Sequence, residues 1–176
     1  MNDGMIDAFH HNVWATRMLI EAFRNLSAEH LARPARGFGS ILETFNHIVS
    51  SDAAYAAQLG GVRPAWASDG NEAPDLDQLA VRVDETGHMW AELLSVPVDA
   101  ERLPVLEEGA YEVHAGVVVA QALHHANVHR EQIRSSLADL GYTAARPAAL
   151  GICRCNGAEV LAECWEVTLR PAVRVD

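Results

Sequence analysis

Apolar residues recur at helical spacing in four stretches of the chain. In the first, about residues 5–25, Ile6, Phe9, Val13, Ile20 and Phe23 share one side, and Trp14, Met18 and Leu19 widen the band. A stretch at 32–39 carrying Pro34, Gly37 and Gly39 reads as a loop. Ser40 and Glu43 then form a Ser-x-x-Glu capping box, which predicts a second helix over 40–59, stopped by Gly60-Gly61. A breaker-rich linker follows over 64–74, after which Asp75 caps a third helix. Its face is Leu79, Val83, Thr86, Trp90 and Leu93, and it ends before Pro97. The fourth helix is predicted over 116–140, with Gly141 as its stop.

Four amphipathic helices joined by one short and two long connections predict an all-α fold, a four-helix bundle occupying residues 1–141. The tail, 142–176, has a different period. Over 163–170, Trp165, Val167 and Leu169 alternate with Cys164, Glu166, Thr168 and Arg170, which is strand spacing. Asn156-Gly157 is a two-residue turn signal, so the expectation is a small β-hairpin packed on the bundle. The stretch 97–111 is acidic, marked by Pro and Gly, and reads as a connection across one end.

The stripe of the fourth helix carries the most informative chemistry. Val118, Ala122, His125, His129, Ile133, Leu137 and Leu140 fall in steps of three and four, and two of them are imidazoles one turn apart. Side chains so placed converge on a single ion, whereas lone imidazoles facing a core would each need a hydrogen-bond partner. His47, two turns into the second helix and at the edge of its apolar stripe, is the candidate third ligand. His124 is rotated by about 100° from His125 and ranks second, on the flank with Gln121, Val128 and Glu131. His10, His11, His30, His88 and His114 have no partner at ligand spacing and read as surface or packing residues. Ala126 follows His125 where a zinc peptidase would carry glutamate, which argues against that class.

Composition narrows the classes further. The chain has 176 residues and a formal net charge of -11, its cations are all scattered arginines, and lysine is absent. Nucleic-acid binding is not expected, because neutralising phosphates needs a basic patch. No run approaches the roughly 18 consecutive apolar residues of a membrane helix. Met1-Asn2-Asp3-Gly4 shows neither a basic n-region nor an apolar core of a signal, so a cytoplasmic location is expected. Cys153, Cys155 and Cys164 are an odd number confined to the tail, which argues against a disulfide framework and fits ordinary reduced thiols.

These motifs together resemble the DinB/YfiT-like family of metal-dependent four-helix-bundle proteins. The resemblance rests on Asn12-Val13-Trp14-Ala15, on Leu26-Ser27-x-Glu29, and on Ser40-Ile41 leading to His47-Ile48. It continues through Leu123-His124-His125-Ala126-Asn127-Val128-His129-Arg130-Glu131-Gln132-Ile133 to Leu140-Gly141, so it covers about 5–141, and no motif of the family is matched beyond. It implies a trihistidine site for a divalent metal, nickel or zinc, which maps to His47, His125 and His129. It also implies a small-molecule substrate, a low-molecular-weight thiol as cofactor in some relatives, and a homodimer.

Three neutral imidazoles leave a divalent ion's shell incomplete, the arrangement of catalytic sites. The expected activity is therefore that of a metal-dependent enzyme, and the resemblance implies a thiol-dependent transferase or isomerase, or else a hydrolase. The alternatives are a non-catalytic metal-binding stress-response protein and a helical interaction module without metal. Asn46, Asp52, Asn127 and Glu131 are the polar neighbours in sequence available to orient ligands or act as bases, and spacing singles out none of them.

Overall fold

The computed structural model describes residues 3–36, 38–67, 74–106, 111–143 and 170–171. Among these, four long helices build the fold: α1 (Asp3–Phe23), α3 (Ile41–Gln58), α4 (Leu76–Leu94) and α5 (Ala115–Asp139). A single turn, α2 (Ala28–Leu31), follows α1, and a 3₁₀ turn spans Ala65–Ala67. The capping signals act as their chemistry dictates. Ser40 accepts the Glu43 amide while Glu43 reaches back to the Ser40 amide, and Asp75 and Gln78 repeat the exchange at α4. Ser27 caps α2 by accepting the His30 amide.

α1 packs on α4 and α5, and α3 packs on the same two helices. The core falls into two apolar clusters. One gathers Ile20, Phe23, Phe45, Leu79, Ile133 and Leu137, and the other gathers Phe9, Trp90, Val118 and Ala122. α1 and α5 meet the second cluster first, whereas α3 and α4 meet the first one first, so α3 and α5 run in opposite directions across their seam. Each long helix also buries polar side chains, among them Asn12 and Thr16 on α1, Asp52 on α3, Thr86 on α4 and Arg130 on α5. Gly87, which interrupts the propensity of α4, lies where α1 comes closest. A Cβ there would stand 3.2 Å from both γ-methyls of Val13.

Two short antiparallel pairs accompany the helices. β1 (Val105–Leu106) pairs with β2 (Tyr111–Glu112) inside the stretch expected to be a plain connection; strands of two residues are too short to show alternation. β3 (Tyr142–Thr143) pairs with β4 (Arg170–Pro171), so residues from the tail return to the end of α5. The expected Asn156-Gly157 turn, the alternation over 163–169 and the three cysteines lie outside the described residues. No helix among the described residues is long and apolar enough to cross a membrane.

Candidate metal centre

The seam between α3 and α5 holds the three histidines singled out by spacing. His47 reaches across from α3, and its Nε2 lies 3.0 Å from Nε2 of His125. Ring centroids are 4.8 Å apart for His47 and His125, 4.6 Å for His47 and His129, and 4.4 Å for His125 and His129. One candidate donor atom from each ring lies within 4.8 Å of the other two. All three residues are half-buried, while His124 is exposed and stands outside the group. His10, His11, His88 and His114 are exposed, and His30 packs edge-on to Tyr142; none joins the trio.

The stripe of α5 is rotated from the sequence reading. Its most buried line runs through Ala122, Ala126, Arg130, Ile133 and Leu137, and His125 and His129 sit beside it facing α3. A periodicity argument cannot separate two lines one residue apart, and a charged residue is discounted from an interior line. Arg130 fills that position because it finds partners there. Its Nη1 donates to Asn12 Oδ1 at 2.6 Å and to Thr16 Oγ1 at 3.0 Å, and Asn12 Nδ2 donates to Asp52 Oδ2 at 3.0 Å.

Burial sets the protonation of two of the three rings, His47 and His125. It lowers the pKa of His47, helped by the proximity of His129. His125 is pushed down to about 4, first by burial and then by His129, His47 and His124. Asp52 is raised to about 7 by burial, against the pull of Arg130 and of the Asn12 amide. Burial also lowers Arg130.

Four polar neighbours were candidates to assist the site, and the structure employs none of them on the histidine rings. Asp52 belongs to the interior network, Asn46 accepts from Arg82 Nη1 at 3.1 Å, Glu131 accepts from Arg134 Nη1 at 3.0 Å, and Asn127 is exposed. The side chains that do touch the rings are others. Gln132 Oε1 lies 2.7 Å from His129 Nδ1, one turn along α5, and its i,i+3 spacing was a usable signal. Phe38 stacks on His47 at 4.2 Å with rings 19° from parallel, and Tyr55 meets His125 edge-on at 5.7 Å. Phe38 comes from the loop before α3, where no periodicity could reveal it. Gly39, with φ 52°, turns the chain there, and a Cβ at that position would lie 2.6 Å from Glu43 Oε2 and displace the cap.

The donor set fits a divalent transition metal. Imidazole nitrogens bind such ions at about 2.0–2.1 Å, so two donors to one ion stand no more than about 4.2 Å apart, and the 3.0 Å pair meets that limit as it stands. Coordination needs neutral rings, and burial holds His47 and His125 in that form. No carboxylate or thiol joins the group among the described residues, and imidazole donors suit zinc, nickel, copper and iron rather than calcium or magnesium.

A family model described as the DinB family matches residues 1–150. The chain belongs to the DinB family. The matched region contains α1 through α5, and with them all three histidines of the seam. No curated protein matches the chain. Among solved structures it is similar to a DinB-like protein, YjoA, from Bacillus subtilis, with a TM-score of 0.58 and 19% identity over 80% of this chain and 94% of that one. At that identity the likeness establishes the DinB-like helical fold, and the chemistry rests on the residues of the seam.

Proposed function

We propose that this DinB protein is a metal-dependent enzyme in which His47, His125 and His129 hold one divalent ion, nickel or zinc. The observation that carries the reading is the convergence of three imidazoles, two of them held neutral, with no fourth protein donor among the described residues. When bound, such an ion supplies Lewis acidity and lowers the pKa of a thiol or water entering its shell. Phe38 and Tyr55 flank the trio with aromatic rings, which offer a surface to the carbon skeleton of a small substrate. The reaction class we propose is transfer or isomerisation assisted by a small thiol, with hydrolysis as the second member of the same metal chemistry.

Elemental analysis of the purified protein tests the site, with one nickel or zinc per chain expected. His125→Ala should abolish stoichiometric metal and His124→Ala should retain it; a His125→Ala protein with full metal content overturns the assignment. Cobalt-substituted protein titrated with a small thiol tests the function. A shifted visible spectrum supports the enzyme, and a spectrum unmoved by any added ligand favours the stress-response metal-binding alternative.

A further inference from the structure

We infer that Gln132 is a positioning residue that fixes the tautomer of His129 and so selects the nitrogen with which His129 binds. His129 Nδ1 stands 2.7 Å from Gln132 Oε1, a normal hydrogen-bond length. An amide oxygen only accepts, so the proton shared between the two atoms belongs to Nδ1. A neutral imidazole has one ring proton. With it on Nδ1, the lone pair of Nε2 is free, and Nε2 is the nitrogen through which His47 and His125 already face each other. Without Gln132, His129 is released to the opposite tautomer, in which the proton occupies Nε2 and closes that donor to an ion.

The position of Gln132 supports this role. It is half-buried and stands one turn after His129 on the same face of α5. Its backbone carbonyl accepts from Ser136 Oγ at 2.9 Å, and Ser136 Oγ accepts the amide of Arg36 at 3.0 Å. The guanidinium of Arg36 pairs with Asp139 at 2.7 and 2.6 Å, so the loop that carries Phe38 is tied to the turn of α5 holding Gln132. Loop, acceptor and ligand are thereby kept in one register. A glutamine in this place orients the ring without adding charge, which leaves the full charge of a bound cation to act on whatever else it binds, whereas a carboxylate would neutralise part of it.

The inference rests on the proposed metal site for its consequence and not for its test, because the tautomer is readable without metal. In ¹⁵N-labelled metal-free protein near pH 8, His129 should carry its proton on Nδ1, and in Gln132→Leu it should shift toward the Nε2-protonated form. Zinc or nickel affinity, measured by competition with a chromophoric chelator, should fall about tenfold to a hundredfold in Gln132→Leu while the stoichiometry stays at one ion. Gln132→Glu keeps the acceptor and should restore the affinity to at least the native value. Leucine and glutamate both favour helix, so both variants should keep the native circular dichroism. Native protein with His129 protonated at Nε2, or a Gln132→Leu affinity within twofold of native, overturns the role of Gln132. Failure of every variant and of the native chain to bind metal, with Nδ1 still protonated, overturns the metal site and leaves the tautomer assignment standing.

Discussion

Removing the side-chain amide of Asn12 tests the polar layer that joins the two ligand-bearing helices. Asn12 is 2% exposed and uses both ends of its amide, donating to Asp52 on α3 and accepting from Arg130 on α5. Asp52 and Arg130 form no direct ion pair among the described residues, so this amide is the link between them. Asn12→Ala deletes two hydrogen bonds to ionisable groups, each worth about 1.5–3 kcal/mol, and leaves both groups inside the bundle. Water entering the vacated space recovers part of the loss, which leaves an expected destabilisation of about 3 kcal/mol, a large share of a typical domain stability of about 5–15 kcal/mol. Urea unfolding of the metal-free protein followed by circular dichroism measures it. The loss should also grow as pH rises through 7, where Asp52 ionises, since the amide stabilises the carboxylate more than the acid. A loss under about 1 kcal/mol, no larger than a single neutral hydrogen bond, would refute the reasoning.

The titrating groups of the metal-free protein give opposite slopes in overlapping windows. His125 has a native pKa of about 4 against 6.5, so the unfolded chain takes up a proton that the native one refuses, and stability falls as pH drops through that interval; His47 acts in the same direction. Asp52 has a native pKa of about 7 against 3.8, so the native chain keeps a proton that the unfolded one has lost, and stability falls as pH rises from about 4 to 7. Asp52→Asn removes only the second effect, and its urea midpoint should gain on the native one steadily between pH 4.5 and 7; parallel profiles would contradict the assignment. At the α1–α4 contact, Gly87→Ala should lose up to about 2 kcal/mol, because overpacking against Val13 costs about 1–3 kcal/mol and helix propensity returns about 1. Combining it with Val13→Ala should recover much of that loss in thermal unfolding, and a combined variant no more stable than Gly87→Ala would show that Val13 is not the obstacle.

The histidines were legible because ligand geometry on a helix is local: His125 and His129 are one turn apart, and the box at Ser40 and Glu43 fixes the phase of α3 and so the direction of His47. The boundaries of the long helices were legible for the same reason, through Asp75, the end of α4 before Pro97, and Gly141. What escaped depends on contacts between elements. Arg130 is interior because Asn12 and Thr16 on another helix accept from it, and no property of α5 alone announces that. Asp52 could be placed on an apolar stripe, but its partner lies forty residues earlier on α1. Phe38 reaches His47 only because the loop before α3 folds back, with the Ala35 amide donating to the Gly39 carbonyl and Thr44 Oγ1 donating to the Phe38 carbonyl.

The placement of the two polar groups explains how a bundle carries this site without losing its core. Asp52 and Arg130 are buried and linked through the Asn12 amide, and the trio occupies neighbouring turns of α3 and α5 at the half-buried seam. Three imidazoles in the middle of the core would each need a partner or carry a desolvation cost, whereas at the seam all three are only half-buried. The interior position is left to groups that satisfy one another, and their directional bonds fix the offset between α3 and α5 along the bundle axis. That offset decides whether His47 stands level with His125 and His129. A slide of one helical turn, about 5.4 Å, would exceed the whole spread of the trio, so the network that fixes the helices is a physical condition for the ligands to meet.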